Sequence, residues 1–158
     1  MDHDIPLLMI EKLSLYQNMI RVLRDTDYMV VKTLFQRNFY TSEDLPFKEA
    51  WRNRTPDLSF GLWMEGCLIG MAVVRDTKLE YICIDPSQQG GGWGSLLLRH
   101  VLSICPTLHL NPADDPALCR WYERHGFQLS NEVEHSTFTT RCYVRHGYHT
   151  RSKTARKN

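Results

Sequence analysis

The sequence has no Cys-x-x-Cys pair, no apolar run of membrane length, no internal repeat and no low-complexity tract. Its five cysteines, Cys67, Cys83, Cys105, Cys119 and Cys142, are widely spaced and odd in number, which argues against a zinc site or a disulfide framework. A reducing, intracellular compartment is therefore expected, cytoplasmic or nuclear. The missing apolar run argues against a membrane partner. The opening stretch MDHDIPLLMIEK is acidic with a short apolar run, so no secretory signal is expected. Residues 141–158 contain no acid but carry Arg141, Arg145, Arg151, Lys153, Arg156 and Lys157. The 13 remaining basic residues face all 18 acids, which leaves residues 1–140 with a net charge of −5. Such an acidic body suits a cationic substrate better than nucleic acid. The tail RSKTARKN could meet RNA, phosphate or an import receptor, but reads more simply as a solvated terminus. A metal cluster built from Cys142, His146 and His149 is disfavoured by its basic flanks, so no metal is expected.

At 158 residues the chain suits one domain over residues 1–145, followed by a basic tail over 146–158. A short helix is expected within residues 7–17, and MIRVL at 19–23 reads as a strand. After the capping residues DTD, Tyr28, Val31, Leu34 and Phe35 fall at helical spacing, and SEDLPFKEAWRNR suits a second helix capped by Ser42. SFGLWM, CLIGMAVV and LEYICI make a meander with turns at Glu65-Gly66 and RDTK. Trp93, Leu96, Leu97, His100, Val101 and Ile104 then trace a helical stripe closed by Pro106, and TLHL is a short strand. Asp115 and Pro116 open another helix that Gly126 ends, and strands at about 127–134 and 136–145 finish the fold. The order β-α-α-β-β-β-α-β-α-β-β implies an α/β chain with a central mixed sheet, helices packed on both faces.

The junction YICIDPSQQGGGWGSLLLRH places three consecutive glycines between a strand and a helix. Glycines there let backbone N–H groups converge on a ligand, and the helix N-terminus favours an anion, phosphate above all. A GxGxxG dinucleotide turn fails, because the third glycine would have to be Ser95 or Leu97. A nucleoside-triphosphate loop fails as well, since no Gly-Lys-Ser/Thr follows. With no lysine beside it, the loop suits a metal-free pyrophosphate held by main chain alone.

IDPSQQGGGWGSLL resembles the acetyl-CoA signature of the GNAT N-acetyltransferase superfamily, with Gln89, Gly92 and Gly94 at the signature positions and Ile84 and Pro86 before them. LCRWYERHGF at 118–127 is similar to that family's second hallmark, a helix ending in fYeKxGF. The resemblance spans about residues 19–145 and implies a GNAT-like, mostly antiparallel sheet with acetyl-CoA as cosubstrate. It implies that backbone N–H groups of Gln89, Gly90, Gly91, Gly92, Trp93, Gly94 and Ser95 hold the pyrophosphate. It implies also that the edge Ile82-Cys83-Ile84 receives the pantetheine arm like an added strand, and that a bulge splays this strand from the next. The Trp93 side chain reads as core.

Tyr122 shares an inward helical face with Leu118, Trp121 and His125, and the family often uses a tyrosine at this position to protonate the sulfur of coenzyme A. Alternation puts Lys78, Glu80, Ile82 and Ile84 on one face of their strand and Leu79, Tyr81 and Cys83 on the other. By resemblance Glu80 is the candidate base, with a water chain as the alternative, and the Ile84 amide is the candidate oxyanion donor. Asp115 stands where many members have a cofactor-contacting asparagine; ionised, it can cap a helix but cannot donate. His100, His109 and His125 read as packed histidines and Cys119 as packing. The expected activity is transfer of an acetyl group from acetyl-CoA to a primary amine by direct attack in a ternary complex. The acceptor stays open between a small cationic amine and a protein lysine or N-terminus. The alternative is an acyl-CoA-binding sensor or scaffold without turnover. Oligomeric state, monomer or homodimer, is not written in the sequence.

Overall fold

The computed structural model describes residues 19–39 and 45–147. The expected helix within 7–17, the Ser42 cap and tail residues 148–158 lie outside them. The described strands are β1 (Ile20–Val22), β2 (Phe60–Met64), β3 (Cys67–Arg75), β4 (Lys78–Ile84), β5 (Leu108–Leu110), β6 (Gln128–Glu134) and β7 (Thr139–Arg145). They form one sheet in the order β1-β2-β3-β4-β5-β7-β6. Every pairing is antiparallel except β4 with β5. The described helices are α1 (Tyr28–Asn38), α2 (Leu45–Arg52), α3 (Trp93–Ile104) and α4 (Pro116–Arg124). This is the mixed sheet that the element order implied, mostly antiparallel as the family resemblance implied.

Alternating side chains on β3 divide the core between the two faces of the sheet. Met71 and Val73 join Val31, Leu34 and Phe35 of α1 and Phe47, Ala50 and Trp51 of α2. Ala72 and Val74 join Leu97, Leu98, Val101 and Leu102 of α3 and Cys119 and Tyr122 of α4. Each fully buried leucine or valine contributes roughly 1.5–3 kcal/mol of transfer free energy.

The α3 stripe differs from the expected one. Leu97, Leu98, Val101 and Leu102 are the buried positions, whereas Ile104 is 49% exposed and Trp93, Leu96 and His100 are half-buried. Three consecutive leucines at 96–98 let the stripe be centred in more than one way, and packing against the sheet selects Leu97 and Leu98. His100 sits edge-on against Phe60, ring centroids 4.6 Å apart, and burial lowers its pKa. At the other end of the sheet β7 begins at Thr139, later than expected. The turn before it is closed by His135 N donating to Phe138 O at 2.8 Å, with the two rings stacked. Beyond β7, Gly147 N donates to Thr107 Oγ1 at 2.7 Å, so ties to the sheet reach two residues past the expected domain edge.

Candidate active site

β4 and β5 pair at one position, Lys78 with His109, and the ladder then stops. Beyond it the strands part, and the wedge between them is a cavity of about 640 Å³. Its walls come from β4 and the glycine turn on one side, Leu110 to Ala113 on the other, and Leu118, Trp121 and Tyr122 of α4.

A bulge in β4 aims the strand edge into this wedge. Val73 of β3 stands opposite Tyr81 and Val74 opposite Leu79, so Glu80 is an inserted residue with no partner of its own. An inserted residue breaks alternation. Leu79 accordingly packs in the same cluster as Ile82 and Ile84, whereas Tyr81 and Cys83 pack in the other. This corrects the expectation that Leu79 shares a face with Tyr81 and Cys83.

The main-chain groups follow from the register. Asp85 N donates to Ile69 O at 2.7 Å, which marks that opposite pair as hydrogen-bonded. Bonded and non-bonded pairs alternate along an antiparallel ladder. Tyr81 and Cys83 therefore spend their amides and carbonyls on Val73 and Met71 of β3. Those of Ile82 and Ile84 point away from β3, toward the parted β5. Ile84 O is taken by Gln89 Nε2 at 3.0 Å. Cys83 was expected to offer its edge to a pantetheine arm, but its main chain faces β3. Its thiol is buried, which, with Asp85 nearby, pushes its pKa up to about 12, so it is no nucleophile at neutral pH.

The glycine turn sits where β4 delivers it. Asp85 closes the strand by accepting from Ser87 N at 2.9 Å and Ser87 Oγ at 2.8 Å, and it pairs with Arg37 of α1 at 3.0 Å. The Ser87 amide, then its hydroxyl and Arg37, hold the Asp85 carboxyl below its ordinary value against the opposing effect of burial. Gln89 Nε2 also reaches Asn38 Oδ1 at 3.2 Å, so its side chain braces the turn against the end of α1. Gly90 and Gly92 have φ of +87° and +85°, and a Cβ at either would meet nothing within 4 Å. Both conformations disfavour any other residue, and the space over the turn stays open. Gly92 is the N-cap of α3, whose first bond is Leu96 N to Gly92 O at 3.1 Å. Helix geometry leaves the first-turn amides without carbonyls one turn back, and the dipole adds partial positive charge. The Trp93 side chain is half-buried: it packs against the core and also lines the cavity, so it is wall as well as core.

The Asp85 network yields a stability prediction. A carboxyl whose folded pKa lies below its unfolded value stabilises the fold above the unfolded value, and the contribution is lost as pH falls through the folded value. Asp85→Asn is expected to cost about 1–3 kcal/mol at pH 7. The gap to wild type should narrow below about pH 4. Urea unfolding across that range checks it; a pH-independent gap would contradict it.

Tyr122 projects from α4 into the cavity at 6% exposure. Its ring packs against Trp121 and Phe127 at centroid distances of 4.9 and 5.5 Å. Among the described residues its hydroxyl has no hydrogen-bond partner. Burial, with a lesser effect from Cys119, raises its pKa, so the phenol keeps its proton at physiological pH. Asp115 caps α4 through Ala117 N at 3.0 Å and does not line the cavity. Glu80 does line it, at 15% side-chain exposure, with Lys78 Nζ at 3.3 Å and Arg75 Nη2 at 3.5 Å.

The structure thus brings Glu80, Ile82, Cys83, Ile84, the glycine turn and Tyr122 to one cavity. It adds walls the residue pattern did not single out, notably Phe39, Tyr81, Asn111 and Trp121. Asn111-Pro112 directly after β5 is the turn signal that could have flagged that wall. Asn111 Nδ2 donates to Arg141 O at 2.9 Å, and Asp114 accepts from Arg141 and from Thr139 N, so β7 holds the wall in place. Among the described residues no group of three or more His, Cys, Asp or Glu could hold a metal ion.

The sheet parts at its parallel pair, and the glycine turn leads into the head of α3 beside that opening. Residues 22–127 match the sequence pattern of the acetyltransferase (GNAT) family. The chain belongs to that family and is an acyltransferase, one of a group that transfers acyl groups from acetyl-CoA. No curated protein sequence gives a match. Among solved structures, Ard1 from Thermoplasma volcanium superposes with a TM-score of 0.67 at 18% identity, over 80% of this chain and 95% of that one. A GNAT-family acetyltransferase from Bacillus cereus ATCC 10987 gives 0.65 at 14% identity, over 81% and 96%. An agmatine N-acetyltransferase gives 0.65 at 11% identity, over 80% and 98%. At these identities the likeness is one of fold. Among the described residues no helix is long and apolar enough to cross a membrane.

Proposed function

We propose that the protein is an N-acetyltransferase that moves the acetyl group of acetyl-CoA to a primary amine by direct attack within a ternary complex. The observation that carries this reading is the β4–β5 wedge, with the glycine turn and Tyr122 lining one cavity. Acetyl-CoA is a substrate here, and the residues present fit it. The turn and the α3 N-terminus offer donors for a diphosphate. The amides of Ile82 and Ile84 face the parted strand, where an extended pantetheine arm would add as a strand does. In the chemical step the neutral amine nitrogen bonds the thioester carbon, charge gathers on the carbonyl oxygen, and the carbon–sulfur bond breaks. The Ile84 amide is suited to stabilise that oxygen, and Tyr122 Oη to protonate the departing sulfur, the proton shed by the newly bonded nitrogen restoring the phenol.

An acceptor ammonium must lose its proton first, since an alkylamine has a pKa near 10.4. Glu80 is our candidate to take it, directly or through water. Its ion pairs with Lys78 and Arg75 keep the carboxylate at the bulge. Glu80→Gln is expected to lower turnover about 10- to 100-fold at pH 7 and to lose less at pH 9, where more acceptor is already neutral. A rate unchanged at both pH values would pass the role to water. A cationic acceptor is favoured by the −5 charge of residues 1–140. Release of free thiol from acetyl-CoA across a panel of polyamines, amino acids and peptides tests the reading. Acceptor-dependent release supports it. Tight binding without such release would instead identify a sensor that keeps the groove and lacks turnover.

A further inference from the structure

The main cavity draws its walls from both faces of the sheet, because β4 and β5 part beyond their single paired position. Ile82, Ile84, Leu118 and Tyr122 line it from the cluster under α3 and α4. Phe39, Tyr81 and Cys83 line it from the cluster under α1 and α2. Glu80 faces the α1 side as well. Its partners Lys78 and Arg75 stand opposite one another in the β3–β4 register, and Arg75 alternates with Val74 of the α3 cluster.

That side of the cavity is aromatic and closely packed. The Tyr81 ring meets Phe35, Phe39 and Phe47 edge-on at centroid distances of 5.3, 5.8 and 5.5 Å. Phe39 is fixed at the end of α1 by its amide, which donates to Phe35 O at 2.9 Å, and by its ring, 4.9 Å from that of Phe35. Among the described residues Glu80 is the one carboxylate that lines the cavity, and Lys78 and Arg75 already share it.

We infer that the acceptor is a primary monoamine with an apolar body, which packs against Phe39 and Tyr81 while its nitrogen reaches Glu80. The inference rests on the acetyltransferase reading above and names its substrate class. An apolar body displaces water from two rings. A second ammonium in its place would lose water with no carboxylate of its own to meet. Attraction to a ring face is a smaller effect than that loss and does not replace the missing partner.

Thiol release under saturating acetyl-CoA tests this with n-pentylamine and 1,4-diaminobutane, which differ by a terminal methyl against an ammonium. Wild type should prefer n-pentylamine about tenfold or more in kcat/KM, a comparison that needs no variant. Phe39→Ala should lower kcat/KM for n-pentylamine about 5- to 30-fold, mainly through KM, and shrink the preference to about threefold or less. A variant that slows both amines by one factor would assign Phe39 to packing and overturn the inference. Equal wild-type rates, preference for the diamine, or release with peptides only would overturn it while leaving the acetyltransferase reading intact. No release with any amine or peptide would overturn both.

Discussion

Gly92→Val is expected to reduce coenzyme A affinity at least 100-fold while leaving a folded protein. Gly92 has a φ of +85°, a conformation that costs a residue with a Cβ roughly 1–2 kcal/mol and a β-branched one more. A domain stabilised by about 5–15 kcal/mol tolerates that loss, because a Cβ at 92 meets no protein atom within 4 Å. That open space is the space over the N-terminus of α3. Valine places two methyl groups there and drives the backbone away from the cradle conformation. Both effects act on an anion held by main-chain donors, and neither acts on the core. Calorimetry with circular dichroism as the folding control reads the result. A folded variant with wild-type affinity would remove the turn from the binding site.

Tyr122→Phe is expected to lower turnover about ten- to a thousand-fold with coenzyme A affinity nearly unchanged. The separation is the informative part. Phenylalanine keeps the ring contacts with Trp121 and Phe127. It removes a hydroxyl that has no partner among the described residues, so stability should change little. Because burial raises the Tyr122 pKa above its ordinary 10.0, the donor form is complete across the working pH range. The alkaline limb of the wild-type rate profile should therefore not report loss of this proton below pH 10. Unchanged turnover in the variant would assign Tyr122 to packing alone.

Much of this architecture is legible in the residue pattern, and the exceptions have physical causes. The strand and helix order is marked by alternation, by Asp115-Pro116 at a helix start and by Gly126 at its end. The bulge at Glu80 is not, because Lys78-Leu79-Glu80-Tyr81 reads as plain alternation; the insertion shows when β3 supplies the register. The main-chain roles follow the same rule. Nothing in the types of Ile82, Cys83 and Ile84 says which amides are spent on β3; the Asp85–Ile69 bond says it. Gln89 stands in the family signature, yet its side chain serves Ile84 and Asn38, a contact across 51 residues of sequence that no local motif encodes.

Each proposed role requires coenzyme A to lie along the free edge of β4 with its diphosphate on the glycine turn. Amide chemical-shift mapping during titration with coenzyme A reads that placement residue by residue. The largest shifts are expected at Ile82, Ile84 and the amides from Gly90 to Ser95, with Val31 and Leu34 of α1 nearly still. Saturating coenzyme A that leaves those amides unmoved, or moves another surface instead, would contradict the placement.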